Sequence, residues 1–254
     1  MDNEFTIDAL EEVYEDLGWT DILLLSLIGV AGGVLGQFIF DLCNSYTNGA
    51  LNSFLISLII KPLNLFAKTP TNYNFWPSID ISIFLFRWIL GAGAIGLSLG
   101  LAMKFEFKKV LYMFAIGCLI GLVSWLASSY AIELIPGIWQ ALVAAPGITQ
   151  IVLTCSMIGL LFSLTVHEFR TLSLFFRFMF AGFLGGLVGK YISVFSTAAL
   201  LRFLISIQSI FETGINPVRL ADAMFVTFLV NLFSLIFLKE YLRMKIKAVQ
   251  KAGK

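Results

Sequence analysis

Histidine is almost missing from this 254-residue chain, which has one, and cysteine is scarce, with three. A single imidazole with no carboxylate cluster leaves nothing to hold a metal ion, because a zinc site draws three or four ligands from the protein. Cys43, Cys118 and Cys155 are odd in number, and two of them sit inside apolar runs. They offer no disulfide framework and no metal spacing, and read as small buried residues. Charged residues make up only 13% of the chain, about half the share of a soluble domain. A net charge of +1 gives nucleic acid no electrostatic footprint. No phosphate-binding loop is present, so nucleotide hydrolysis would need another chain. No motif asks for a cofactor. The start of the chain is acidic, the opposite of a secretory signal's basic region, so no cleavable leader is expected.

What the chain does have is apolar residues, 59% of the total, and a mean hydropathy of +0.91. Such a chain cannot cover its surface with polar groups, so its solvent is lipid. A spanning helix needs about 20 mostly apolar residues. Six runs qualify: Ile22–Phe40, Ile81–Met103, Val110–Ile132, Ile148–Val166, Leu172–Ile192 and Ala223–Leu238. Two shorter runs, Leu51–Ala67 and Thr197–Phe211, are interrupted by Lys61-Pro62 and by Arg202. They read as interfacial or re-entrant helices. The expected fold is an all-α integral membrane protein with about six spans, two interfacial helices and an amphipathic N-terminal helix. It divides into an acidic helix over 1–20, a polytopic domain over 21–238 and a basic tail over 239–254.

Charge sets the orientation. Residues 1–21 carry eight acids and no base, whereas residues 239–254 carry six bases and one acid. Lys104, Lys108, Lys109, Arg170 and the basic tail fall on one side of six spans, and the loop Glu133–Pro146 has no base. The basic side is expected to be cytoplasmic, in a bacterial inner membrane, with both termini inside. If Leu51–Ala67 also spans, the count is seven and the N-terminus moves outside.

Glycine is the most patterned residue. Gly29, Gly32, Gly33 and Gly36 lie at i, i+3, i+4 and i+7, and Gly182, Gly185, Gly186 and Gly189 repeat that pattern 153 residues on. Gly93, Gly96 and Gly100 repeat it with Leu97 in place of one glycine, and Gly117 with Gly121 extends it to the third span. Each glycine costs a helix about 1 kcal/mol against alanine. In lipid the compensation is close backbone packing, so these faces are helix contacts. They pack within the chain, bind other subunits or line a path. Arg87 and Arg177 each follow a phenylalanine nine residues before the Gly96 or Gly186 position. The layout suggests duplication: span one, short run, span two against span five, short run, span six, with spans three and four as a middle hairpin. Three like-oriented hairpins are also the layout of tripartite carriers. Their proline–acidic–basic signature is missing here, so that family is set aside.

The run RWILGAGAIGLSLGLAMKFEFKKVLYMFAIGCLIGL resembles the glycine-rich membrane repeat that some bacterial proteins attach to forkhead-associated or other regulatory domains. There an arginine precedes G-x-x-x-x-G-L-x-x-G-L, a short basic turn and a second glycine-rich span. A looser match runs from TQIVLTCSMIGLL to FRFMFAGFLGGLVGKY, so the likeness covers residues 81–192. It implies a bacterial integral membrane protein and transfers no functional residues. The chain has no room for a soluble regulatory domain.

Few residues carry chemistry. Gly96–Gly100 matches G-x-S-x-G, but Ser98 is mid-helix, where a nucleophile elbow cannot form. Its only histidine partner is His167, in the polar turn VHEFR. Arg87, Arg177 and Lys190 lie inside the spans, and intramembrane charges are functional candidates. They reach the interface by snorkelling, or Arg87 pairs with Asp41 or Asp80. No acid is expected at mid-depth. Ser98, Ser124, Thr154, Ser156, Thr227 and Asn231 tie helices together. In the acidic N-terminal helix Leu10, Val13, Tyr14 and Leu17 form one apolar stripe, with Asp8 and Glu11 as a capping pair. That stripe suits a protein surface, either its own basic tail or a soluble partner. The leading expectation is a non-enzymatic, membrane-embedded subunit of a homo-oligomeric or multi-component assembly that can form a pore or channel. A small-solute or lipid transporter built from repeated hairpins is the second reading, and an intramembrane serine hydrolase the third.

Overall fold

The structure is a computed structural model. It describes residues 7–46, 81–134, 146–211 and 217–252, together with Ala50 and Phe54. Seven α-helices account for nearly all of them: α1 Ile7–Asp16, α2 Trp19–Tyr46, α3 Ile81–Ala102, α4 Phe107–Leu134, α5 Pro146–Thr165, α6 Leu172–Phe211 and α7 Pro217–Ala252. A 3₁₀ turn, His167–Phe169, links α5 to α6. The described residues contain no strand.

Local chemistry places several helix ends. Gly18 N–H donates to Asp21 Oδ2 at 3.0 Å, and Ile22 N–H reaches Gly18 O at 3.1 Å. Asp21 thereby satisfies a donor that the first turn of α2 leaves open. Thr171 caps α6, with its Oγ1 accepting from Leu174 N–H at 3.3 Å. Pro146 and Pro217 begin α5 and α7, where the missing N–H would have no helical partner. α3 ends without glycine. Phe105 N–H bonds Gly100 O and Lys104 N–H bonds Leu101 O, a Schellman closure that puts Lys104 at φ 51°. A non-glycine residue there carries about 1 kcal/mol of strain.

Helices adjacent in the chain are adjacent in space. α2 packs on α3, α3 on α4, α4 on α5, α5 on α6 and α6 on α7. α7 then packs back on α2, so six helices form a closed ring, with α3 also touching α7. The interior is filled by Trp125, Phe162, Ile158, Leu99 and Met113, all fully buried. α1 lies outside the ring on the last part of α7.

The glycine pattern explains the ring. Gly32 and Gly36 face α3, while Gly29 and Gly33 face α7. In the second quartet Gly185 and Gly189 face α7, and Gly182 and Gly186 face α5. Residues at matching positions therefore do matching jobs: Gly32/Gly36 and Gly185/Gly189 each meet the following helix, and Gly29/Gly33 and Gly182/Gly186 each meet the second helix of another hairpin. Gly93 and Gly96 meet α4, and Gly117 and Gly121 meet the α3 backbone at Ala92 and Trp88. These faces are filled by the chain's own helices.

Four described helices are long and apolar enough to cross a membrane: Trp19–Cys43, Phe107–Ser128, Leu172–Ser196 and Arg219–Lys251. Phe86–Ala102 and Gln150–Thr165 are shorter apolar stretches. The expected interfacial helix over Thr197–Phe211 is instead the second half of α6. A single arginine at residue 202 does not interrupt backbone hydrogen bonding, so an uninterrupted helix former runs on. The basic tail is likewise no separate segment, because α7 continues to Ala252. Asp8 lies inside α1, after its first residue, and so is not its cap. Asp80 and, apart from Phe54, the run Leu51–Ala67 lie outside the described residues.

Candidate functional site

The feature with most chemical potential is a set of buried charges and polar groups at the end of the ring away from α1. Arg87, on α3, is 0% exposed, so it does not snorkel. The bare Cα of Gly36 lets α2 close on α3 here, since a Cβ at that position would stand 2.9 Å from Arg87 Cα. The guanidinium carbon lies 4.7 Å from the Trp88 ring centroid. Asp222 of α7 and Cys155 of α5 both lie within its electrostatic reach.

Asp222 is the centre of the cluster. Its Oδ2 accepts from Lys190 Nζ of α6 at 2.5 Å, and its Oδ1 accepts from Ser193 Oγ. The two ion-pair side chains are 18% and 8% exposed, so Lys190 too is held inward instead of snorkelling. Gly189 makes this possible, since its bare Cα lets α6 approach Val226 Cα closely. On α2, Gln37 Nε2 donates to Asp41 Oδ1 at 3.0 Å, both residues being buried. Ser128 and Thr154 share a hydrogen bond of 2.6 Å between α4 and α5. Arg87 and Lys190 supply two positive charges, and Asp41 and Asp222 two negative ones.

A second polar contact lies deeper. Ser98 Oγ stands 2.6 Å from Asn231 Oδ1, and Asn231 Nδ2 donates to Leu25 O at 3.0 Å. This ties α3, α7 and α2. Thr227 Oγ1 donates to Ala223 O at 2.5 Å and packs against Gly33 and Gly91. Ser98 thus holds helices together, and His167 is exposed on the turn after α5. Nothing joins them as a catalytic pair.

The opposite end carries further charges. Leu10, Val13 and Leu17 are buried, with Tyr14 packed beside them, in one cluster with Leu242 and Ile246 of α7. The stripe read as partner-binding is therefore covered by the chain's own α7. Lys239 Nζ donates to Leu17 O at 2.5 Å and lies 5.4 Å from the Tyr14 ring. Lys104 bonds Glu12 and Asp16, and Gln250 bonds Glu11. The Asp16 and Glu12 carboxylates raise the Lys104 ammonium pKa above its usual value. Partial burial pushes the Glu168 carboxyl up, but its bond to Lys109, a bond from its own backbone N–H and the nearby charges of Lys109 and His167 together outweigh that and hold it below its usual value. Arg177 is the one intramembrane candidate that reaches the surface. It bonds Ser173 and touches Met244.

Sequence reasoning missed Asp222. Starting the last span at Ala223 left this acid one residue outside it. Pro217 was the available signal, because proline favours the first helical position and would have moved the start six residues back. The described residues contain no group of three or more metal-ligating side chains. Compared with protein-family models, curated proteins and solved structures, the chain matches none. The likeness to glycine-rich membrane repeats rests on the quoted motifs alone.

Proposed function

We propose that this chain is a polytopic transporter of a small solute, built from three helical hairpins, with Arg87, Lys190 and Asp222 at its polar centre. The observation that carries this reading is a fully buried arginine at the same end of a ring of apolar helices as the buried Lys190–Asp222 ion pair. Charges in such a place are costly in lipid and are kept where a solute or ion must pass. In this reading α3 and α5 span as well. Twenty-two residues of α3 rise about 33 Å, enough for a hydrocarbon core of about 30 Å. The filled interior corresponds to an occluded state. The basic end faces the cytoplasm, as the distribution of lysine and arginine favours.

The reading as a subunit of a larger assembly drew on glycine faces and on an acidic N-terminal helix. Both now have partners within the chain, so transport by the chain itself becomes the stronger reading. The test is flux into liposomes that hold the purified protein, challenged in turn with amino acids, organic acids and inorganic ions. One class is expected to enter faster than into empty vesicles. Asp222→Asn and the double variant Lys190→Met/Asp222→Leu are expected to abolish that entry, the double variant while keeping its helical circular dichroism. Absence of flux for every class, or flux indifferent to both variants, refutes the proposal.

A further inference from the structure

At the end that carries α1, the seam between α6 and α7 has a cationic rim above an aromatic wall. Arg177 Nε donates to Ser173 Oγ at 3.2 Å and its Nη2 lies 3.4 Å from Met244 Sδ, so the guanidinium reaches across the seam. On α7, Met244, Lys247 and Lys251 recur at three- and four-residue spacing and share one exposed face. The opposite face of α7 holds Leu242 and Ile246 against α1. Arg170 is exposed just ahead of α6. The one acid on this face of α7, Glu240, stands 3.6 Å from Arg243. Among the described residues, no carboxylate lies within ion-pair distance of Arg177, Lys247 or Lys251. On α6, Leu172, Phe176 and Phe180 are exposed. Phe180 stacks on Phe183 with ring centroids 6.2 Å apart, and its centroid lies 6.1 Å from that of Phe237.

We infer that this seam binds an anionic phospholipid, with its phosphate on Arg177 and Lys247 and its acyl chains along Phe176 and Phe180. Charge complementarity selects the headgroup sign, since the rim has positive charge in excess. The aromatic wall selects a lipid over a soluble phosphate, since only a lipid covers apolar surface continuous with the charged rim. Arg177 suits the phosphate better than lysine would, because its planar fork presents paired donors.

The experiment uses the full chain in detergent, titrated with phosphatidylglycerol, phosphatidylcholine or soluble glycerol phosphate. Bound lipid is counted by native mass spectrometry. Phosphatidylglycerol is expected to be retained, and phosphatidylcholine to be lost at least tenfold more readily. Arg177→Gln and Lys247→Gln are each expected to weaken phosphatidylglycerol retention about fivefold. Lys108→Gln, at an exposed base elsewhere, is expected to leave it unchanged. All three substitutions are at surface positions, so folding is checked by an unaltered unfolding midpoint. Equal retention of both lipids, insensitivity to Arg177→Gln, or displacement by glycerol phosphate overturns the inference.

Discussion

Replacing Gly182 with alanine adds one methyl group where α5 leaves no room for it. The new carbon would overlap the Cys155 carbonyl oxygen, and would stand 2.5 Å from the Cys155 carbonyl carbon and 2.9 Å from Ser156 nitrogen. All three are backbone atoms, so no side-chain rotation relieves the overlap. Carbon atoms rest about 3.5 Å apart, so α5 and α6 must separate by about 1 Å. That loosens the whole seam, including Gly159 against the Phe178 carbonyl. Overpacking of this kind costs about 1–3 kcal/mol, and an unyielding backbone puts Gly182 at the upper end. Alanine's better helix propensity offsets about 1 kcal/mol. The net loss is about 2 kcal/mol. Gly100→Ala is the control from the same motif. Its new carbon meets Val110 Cα at 3.4 Å and Met113 Cγ at 3.5 Å, which is ordinary contact. Only the propensity gain remains, so this variant gains about 0.5–1 kcal/mol. Unfolding midpoints in one detergent should move in opposite directions. If both variants move the same way, close helix contact is not what these glycines provide.

Asp222→Asn leaves the largely buried Lys190 facing a neutral amide, and is expected to lose about 3 kcal/mol of stability. The double variant Lys190→Met/Asp222→Leu should recover at least half of that in the same unfolding assay. Asn231→Leu removes the bonds to Ser98 and to Leu25 O, at about 1 kcal/mol for each bond left unmade, read as a lowered unfolding midpoint. Leu10→Asp puts a charge where α1 packs on α7, and should expose residues near Gly18 to limited proteolysis without unfolding the ring. Molar salt should have a weaker effect in the same direction, by screening Lys104 from Glu12 and Asp16. Glu168 has a depressed carboxyl pKa in the folded protein, so its stabilisation is complete above its ordinary value of 4.5 and disappears as pH falls below it. The pair is partly exposed and is worth about 0.5 kcal/mol. Glu168→Gln should flatten that acid limb in midpoints measured from pH 3 to 7.

The helical, apolar character of this protein was legible in the chain because it is a local property. Hydropathy over twenty residues, glycine at three- and four-residue spacing and proline at helix starts depend on near neighbours alone. The stripe Leu10–Val13–Tyr14–Leu17 was visible for the same reason. Its occupant was not, because both α7 and a soluble partner suit an acidic amphipathic helix. Arg87 stood out as a charge inside an apolar run. Its surroundings did not, since Asp222 lies 135 residues further along the chain and just outside the apolar window.

Sequence alone therefore determined the apolar character of the helices, most of the secondary structure and the faces on which helices meet. Tertiary structure decided which helix fills each glycine face, that α7 closes on α2, and that Lys190, Ser193 and Arg87 gather about Asp222. The physical reason is that spacing along one helix sets only the direction in which a side chain points. What it points at depends on how distant helices pair, and those pairings are settled by backbone fit and charge burial summed over the whole ring.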